Sequence, residues 1–265
     1  MTDIFTRTWP ASQEEILALE RASLNAWPSL MTLWDGGWCL RLTPGARSRR
    51  INSVNILDSR DTSNSGERVA RMRGLFERHG IQPTFRWTPL MPKGLVDDLL
   101  SAGWRTAAET VVMARTVNGL PIAPRTTGRP DIHALELPEW IGHLIAIDRS
   151  QADNADALLA TLATIAAPLR RLYIESENGQ PAATAFCVAD GAFVGLFLVN
   201  VAESQRRRGH GQALLAAALQ FAAPLGAKTA WLQVEADNGP AMALYAKAGF
   251  GERYRYIYLQ PDAGP

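Results

Sequence analysis

The sequence lacks several features that would define a function class at once. It has only two cysteines, Cys39 and Cys187, far apart and outside any CxxC spacing, so neither a disulfide framework nor a zinc site is indicated. A formal net charge of +1 argues against broad electrostatic capture of nucleic acid or an anionic membrane. No apolar run reaches the roughly 20 residues of a membrane helix. The N-terminal stretch includes Asp3 and lacks the apolar core of a signal peptide, so we expect a cytoplasmic protein.

The composition that remains is that of an ordinary globular protein, with 47% hydrophobic and 20% charged residues. A length of 265 residues suits one large domain or two smaller ones. Residues 118–130 contain three prolines and two glycines and form the best linker candidate. We therefore predict a mixed α/β fold with a domain at residues 1–117, a linker at 118–130 and a second domain at 131–265.

Apolar periodicity gives both halves the same order of helix, strands, helix, strand, helix and strand, although no residue-level repeat links them. Ser12, with Glu15 three residues later, has the spacing of a capping box. Asn178-Gly179 and Asp190-Gly191 are typical hairpin turns. Helices are predicted at 12–26, 65–79, 95–101, 139–147, 156–167, 212–223 and 239–248. Strands are predicted at 37–42, 50–57, 83–87, 104–115, 172–176, 182–188, 193–201, 229–235 and 254–259.

A basic turn between a strand and a helix is the most informative feature. It follows an apolar run that ends at Val201 and reads Arg206-Arg207-Arg208-Gly209-His210-Gly211. Glycines allow backbone N–H groups to approach an anion closely, and a helix N-terminus adds partial positive charge. Arginines can pair with phosphate oxygens in a bidentate geometry. The turn therefore predicts a phosphate-bearing ligand, and the competing interpretation is a solvated surface turn.

A second motif lies downstream and reads Asn238-Gly-Pro-Ala-Met-Ala-Leu-Tyr245-Ala-Lys-Ala-Gly-Phe250. Asn238 is well placed to cap a helix that begins at Gly239, and Pro240 is tolerated in its first turn. Tyr245 lies two helical turns after Asn238 and therefore faces the same side. Core packing under Phe250 is the competing role for this tyrosine.

With both motifs in this order, residues 130 to 260 resemble the GCN5-related N-acetyltransferase (GNAT) superfamily, whose signature turn is Gln or Arg, two residues, Gly, one residue, then Gly or Ala. The resemblance implies two GNAT-like lobes, each a mixed, mostly antiparallel sheet flanked by helices. It implies acetyl-CoA as co-substrate without a metal, and Tyr245 as the acid that protonates the CoA thiolate. The residues implied in cofactor binding are Val199, Val201, Arg206, Arg207, Arg208, Gly209, His210, Gly211, Gln212, Asn238 and Tyr245.

A general base is missing from the place where many relatives have one. They carry a glutamate on the strand before the basic turn, whereas this chain has Gly195 and no acid between Phe193 and Val201. Glu175, Glu203 and Glu235 are the alternatives. If the amine loses its proton through water and Tyr245 is the acid, none of these three glutamates is needed.

The first half lacks the signature, because residues 58–66 contain one glycine and two aspartates where a basic turn is expected. Aspartates beside a pyrophosphate are unfavourable. This half resembles the degenerate partner lobe of tandem acetyltransferases. Trp27, Trp34, Trp38 and Arg41 either line an acceptor cleft or belong to the core and surface.

The sequence thus predicts an acetyl-CoA-dependent N-acetyltransferase that acts on a primary amine, either a small molecule or a peptide. The alternative is a CoA-binding sensor or regulatory module without turnover. Nucleic-acid and membrane partners are not expected. The acceptor, and the choice between monomer and homodimer, stay open.

Overall fold

The computed structural model describes residues 4–117 and 132–262 of the chain. Contacts divide the chain into two compact units, the first made of Met1–Arg21, Pro28–Val112 and Glu252–Pro265, the second of Ala22–Trp27 and Met113–Gly251. The predicted mixed α/β fold is confirmed. The predicted linker, residues 118–130, lies outside the described residues, and the domain boundaries placed around it stay a prediction. Within the described residues no helix has the length and apolar character needed to cross a membrane.

The first unit is built on a sheet with helices packed against it. Its strands are β1 (Met31–Asp35), β2 (Trp38–Leu42), β3 (Ser53–Ile56), β4 (Phe85–Trp87), β5 (Trp104–Thr116) and β11 (Gly251–Pro261). Its helices are α1 (Gln13–Ala26), α2 (Ser65–Arg78) and α3 (Lys93–Ser101). The strand order is β1-β2-β3-β4-β11-β5, with β3 and β4 parallel and the pairs β1–β2, β2–β3 and β4–β11 antiparallel. The ends of α1 and β5, and Gly251, belong to the second unit.

The core of the first unit covers one face of this sheet. Alternate residues of a strand point to the same face, so paired positions such as Leu40 and Val54 are buried together. Met72 and Phe76 of α2 pack against them and are also fully buried. This alternation is the signal that allowed β2 and β3 to be predicted from the sequence.

The second unit adds a sheet in the order β5-β10-β9-β8-β7-β6. Its strands are β6 (Ile132–Ala134), β7 (Leu169–Glu175), β8 (Pro181–Asp190), β9 (Phe193–Val201) and β10 (Thr229–Glu235). Its helices are α4 (Leu137–Ile147), α5 (Ala155–Leu162), α6 (His210–Ala222) and α7 (Gly239–Lys247). The pairs β6–β7, β7–β8 and β8–β9 are antiparallel, and β9–β10 is parallel. The predicted hairpin turns are present, with φ of 75° at Gly179 and 55° at Gly191.

Strands β9 and β10 diverge halfway along their length. Their last parallel pair is Leu196 with Leu232, although β9 continues to Val201. The register between β8 and β9 shifts there, and Leu198 has a φ of 46°, which is rare for a non-glycine residue. Such a bulge bends a strand away from its neighbour. We call the opening beyond Leu196 and Leu232 the fork. Among the described residues, the backbone of 197–201 has no strand partner on the β10 side.

Parts of the predicted secondary structure were wrong, and the short strand β6 was not predicted. The helix predicted at 156–167 ends at Leu162, because the Thr164 hydroxyl donates to the Thr161 carbonyl at 2.8 Å and Pro168 disfavours a helical residue before it. Strand β1 was not predicted. It is exposed along most of its length and so lacks the apolar alternation that marks a half-buried strand.

Candidate functional site

The basic turn lies between β9 and α6, as predicted. A 3₁₀ turn at Glu203–Gln205 is followed by Arg207 with φ of 62° and Gly209 with φ of 85°. Gly209 is the N-cap of α6 and has no side chain to cap it. Within the described residues, the backbone N–H groups from Arg207 to Gln212 have no backbone acceptor. Because these groups lie at the positive end of a helix, the turn is suited to an anion.

Helix α7 begins beside this turn, and its start is fixed by Asn238. The Asn238 side chain accepts a hydrogen bond from the Ala241 amide at 3.1 Å, so the predicted cap is confirmed. Gly211 allows α6 to approach α7 closely, since a Cβ atom at this position would lie 2.8 Å from Leu244 Cδ2. The second glycine of the signature therefore has a packing role.

A cleft of about 680 Å³ lies between the end of β9, the basic turn and α7. Most of the predicted cofactor residues line it: Val199, Val201, Arg206, Arg207, Gly209, His210, Gly211, Gln212 and Asn238. Arg208 and Tyr245 do not line it. Several lining residues were not predicted: Asn200, Gln205, Pro240, Ala241, Ala243, Leu244 and Lys247. The spacing from Pro240 to Lys247 marks one face of a helix, so this wall could have been inferred once Asn238 was assigned to the site.

The charge of the cleft is one-sided. Arg206, Arg207 and Lys247 line it, and no carboxylate is among the described residues of its wall. Cations that line a cleft raise the local concentration of anions. The charge of the described wall therefore favours an anionic ligand.

Two side chains of the wall contain buried polar atoms that find no hydrogen-bond partner in the part of the chain that the structure describes. These atoms are Nδ2 of Asn200 and both ring nitrogens of His210. Burial, and after it the charge of Arg208, lowers the pKa of His210 below its ordinary value, which favours the neutral ring. A buried polar group without a partner costs about 1–3 kcal/mol. Partners supplied by a bound polar molecule would recover that cost, and the donor set therefore fits a ligand that carries phosphates and amides.

Tyr245 lies on α7 but is turned toward the interior. Its side chain is 7% exposed, and its ring is 6.2 Å from that of Phe250. Burial raises the pKa of Tyr245 to about 12. No hydrogen bond of its hydroxyl is found within the described residues, and the hydroxyl oxygen is not fully buried. Packing under Phe250 is therefore present, and the hydroxyl is also available to another group.

The position of the missing base is closed by aromatic rings. A Cβ atom at Gly195 would lie 2.7 Å from Trp231 Cζ2 and 2.8 Å from Phe197 Cε2. No side chain fits at Gly195 without moving these buried rings. The alternative acids Glu175, Glu203 and Glu235 are all exposed, and none of them lines the cleft.

The corresponding turn of the first unit differs in charge, because it carries carboxylates that are paired with arginine. Asp61 follows β3, accepts from the Gly37 amide at 2.7 Å and pairs with Arg68 at 2.8 Å. Asp35 pairs with the same guanidinium at 2.9 Å. Carboxylates thus occupy the region where an anion would bind.

The four residues considered for an acceptor cleft have different environments. Trp27, Trp38 and Arg41 are at most 4% exposed, whereas Trp34 is 56% exposed. Three of them are therefore core residues, and the fourth lies on the surface of β1. No acceptor cleft is formed by these side chains.

Comparisons with known proteins agree on one family. Residues 13–259 match the family described as "Probable histone acetyltransferase Rv0428c C-terminal". The uncharacterized N-acetyltransferase YobR of Bacillus subtilis is 24% identical over 247 residues, which are 92% of this chain and 98% of that protein. The mycothiol acetyltransferase of Clavibacter sepedonicus is 37% identical over 83 residues, 31% of this chain and 27% of that protein. The [ribosomal protein bS18]-alanine N-acetyltransferase of Escherichia coli is 39% identical over 79 residues, 29% of this chain and 52% of that protein.

Solved structures with the same fold cover nearly the whole chain. A GCN5-related N-acetyltransferase from Kribbella flavida has a TM-score of 0.70 at 18% identity and covers 96% of this chain and 97% of its own. A tandem GNAT protein from the clavulanic acid biosynthesis pathway has a TM-score of 0.68 at 15% identity. The match covers 98% of this chain and 90% of that protein. At such identities the likeness concerns the fold, which is that of a tandem GNAT protein. The family match covers residues 13–259 and shows membership, which a shared fold alone does not. The chain is an acetyltransferase that belongs to the Rv0428c C-terminal family of the GNAT superfamily.

Proposed function

We propose that this protein transfers the acetyl group of acetyl-CoA to a primary amine, with the CoA phosphates bound at Arg206–Gln212. The observation that carries the proposal is the cleft beside α6, where free helix amides and three cationic side chains face no carboxylate of the described wall. CoA carries phosphates at one end and an amide-bearing arm with a thiol at the other. Both kinds of group match the donors and acceptors that the cleft offers.

The pantetheine arm of CoA is assigned to the open edge of β9. Because β10 leaves β9 after Leu196, the backbone groups near Val199 and Val201 can pair with the amides of the arm, as an added strand would. Asn200 and His210 then gain partners for nitrogens that are otherwise buried alone. The Arg206 and Arg207 guanidinium groups pair with phosphate oxygens.

When bound, acetyl-CoA supplies a thioester, whose C–S bond breaks as the C–N bond to the amine forms; the amine loses one proton and the CoA sulfur gains one. Tyr245 is the proposed donor of that second proton, because its hydroxyl has no protein partner among the described residues. With its pKa raised to about 12 by burial, Tyr245 stays protonated at working pH. Burial also disfavours the charged thiolate of CoA and therefore raises the pKa of the CoA thiol. The thiolate that accepts the proton thus becomes more basic, just as the Tyr245 hydroxyl that donates it becomes a weaker acid.

The proton of the amine is proposed to leave through water. No carboxylate lines the cleft among the described residues, and the Gly195 position is filled by rings. A free lysine-type amine has a pKa of about 10.4, so its neutral fraction falls about tenfold for each pH unit below that value. The rate with such an acceptor should therefore rise with pH up to about pH 10.

The acceptor class is a primary amine of a small molecule or a peptide. The names of two relatives, a mycothiol acetyltransferase and a ribosomal-protein alanine N-acetyltransferase, represent these two classes. Both classes belong in a substrate panel, together with free amino acids and aminoglycosides.

Calorimetry with acetyl-CoA, followed by thiol release over the amine panel, tests the proposal. We expect binding, and thiol release with at least one amine. Tyr245→Phe should lower kcat by about 10²–10⁴-fold and leave the affinity for CoA nearly unchanged. Tyr173→Phe is the matched control, because Tyr173 is 4% exposed in the same unit and outside the cleft. A folded protein that binds no acetyl-CoA would refute the proposal, and a fully active Tyr245→Phe variant would remove the role of the acid.

A CoA-binding sensor without turnover is the second candidate. The observation that favours it is the lack of a carboxylate in the described wall of the cleft. Tight CoA binding without thiol release for any amine of the panel would decide for this alternative.

A further inference from the structure

Four aromatic rings pack together beside the fork, and we call them the aromatic wall: Trp27, Phe186, Phe197 and Trp231. Phe197 is its centre, with its ring centroid 4.8 Å from Phe186 and 5.3 Å from both Trp27 and Trp231. Exposure of the four side chains is between 1% and 4%. The four rings are therefore shielded from solvent and in contact with one another, and a group that enters among them has to displace a buried side chain.

The aromatic wall lies on one face of the sheet and reaches the fork itself. Trp231 is paired with Gly195, and Phe197 follows Gly195 by two residues, so all three positions share a face. Phe197 is also the first residue of β9 beyond the last pair with β10. The absence of a side chain at Gly195 makes room for the two rings, which come within 2.8 Å of where its Cβ would be.

The position of the aromatic wall beside the fork bears on the end of acetyl-CoA that reacts, where the acetyl group is joined to sulfur. If the phosphates lie at the basic turn and the arm runs back along residues 201 to 199, the sulfur reaches the fork next to Leu198. The acyl group attached to the sulfur then meets the ring of Phe197. A methyl group needs little room there, whereas each further methylene competes with rings that are already close-packed.

We infer that the aromatic wall restricts the acyl donor to groups of about acetyl size and that Phe197 sets the limit. The inference rests on the proposed function. A single methylene in a tight apolar pocket changes specificity by roughly 10–200-fold. We therefore expect the wild-type protein to bind butyryl-CoA at least about tenfold more weakly than acetyl-CoA, with free CoA as the reference ligand. Phe197→Ala should reduce that ratio to about threefold or less by removing the ring.

The test measures calorimetric affinities for free CoA and for acetyl-, propionyl-, butyryl- and hexanoyl-CoA. Phe197→Leu accompanies Phe197→Ala, because the smaller change preserves an apolar packing group if the alanine variant does not fold. Phe76→Leu is the matched control, since Phe76 is equally buried but belongs to the core of the first unit. It should lower stability without altering the order of the acyl-CoA affinities.

The outcomes separate the inference from the proposed function. A steep decrease from acetyl- to butyryl-CoA that is relieved in a Phe197 variant, and not in Phe76→Leu, supports the inference. Equal affinities for acetyl- and butyryl-CoA in the wild-type protein overturn it, as does a folded Phe197 variant with unchanged preference. If neither free CoA nor any acyl-CoA binds, the proposed function fails and the inference fails with it.

Discussion

Gly195→Ala is the substitution that most directly examines the structure of the fork. Three ring carbons, one of Trp231 and two of Phe197, lie 2.7–2.8 Å from the added Cβ. Ordinary carbon contacts are about 3.5–4.0 Å, so each ring has to retreat by about 1 Å. Both rings are buried between neighbours and cannot swing into solvent. The added methyl group therefore has to be accommodated by repacking the aromatic wall.

The expected free-energy change follows from two opposing effects. Overpacking of a close-packed core costs about 1–3 kcal/mol. Alanine also restricts the unfolded chain more than glycine does, which favours the folded state by about 0.4–1 kcal/mol. The first effect is larger, and Gly195→Ala should lower the free energy of unfolding by about 1–2 kcal/mol. For a chain of this size the melting temperature should fall by roughly 2–8 °C.

Urea and thermal unfolding followed by circular dichroism measure this change. Gly142→Ala is the matched control, because Gly142 lies on α4 with no atom within 4 Å of an added Cβ. It should leave stability unchanged or raise it by up to about 1 kcal/mol. If Gly195→Ala is as stable as the wild-type protein, the rings do not fill the space beside Gly195. The reason given for the missing glutamate would then be wrong.

Three further changes probe other parts of the chain. Asn238→Ala should lower the free energy of unfolding by about 1 kcal/mol, while Asn238→Asp should retain the cap, as urea unfolding can measure. Arg206→Ala should weaken CoA binding by roughly 10–100-fold at low salt, whereas Arg208→Ala, outside the cleft wall, should change it by less than about threefold in calorimetry. Hydrogen bonds from Arg68 lower the pKa of Asp61, so its stabilising contribution is present above about pH 4 and is lost as the pH falls further. Acid unfolding of Asp61→Asn should accordingly depend less on pH below about 4.

The parts of the site that could be predicted depend on neighbours in sequence. The Ser12 cap, whose hydroxyl accepts from the Glu15 amide at 3.2 Å, and the Asn238 cap both close hydrogen bonds within one helical turn. The free amides after Gly209 follow from a glycine at the start of a helix. Local patterns of this kind are complete in a single sequence, and they gave the position of the cleft.

The fork could not be predicted, because it depends on residues that are distant in sequence. The bulge at Leu198 is defined only against the register of β8, and the rings over Gly195 come partly from β10. Lys247 also enters the cleft only through the packing of α7 beside the turn. The assignment of Glu252–Pro265 to the first unit depends on strand pairing that no local pattern specifies. Non-local packing therefore determines the fork and the contribution of Lys247 to the cleft, while local signals determine the basic turn and the starts of α6 and α7.

The two turns that precede α2 and α6 show which level of structure decides anion binding. Asn64 and Gly209 each stand directly before a helix, have φ of 51° and 85°, and make no side-chain cap. The backbone thus exposes a helix N-terminus in both units. In the first unit Asp61 and Asp35 hold Arg68, so carboxylates face the helix start. In the second unit the cleft wall carries only cations among its charged side chains that the structure describes. The backbone geometry is therefore similar at the two turns, and the difference lies in the side chains. Carboxylates paired with arginine stand at the first turn, whereas cations alone stand in the described wall at the second, which favours an anion there.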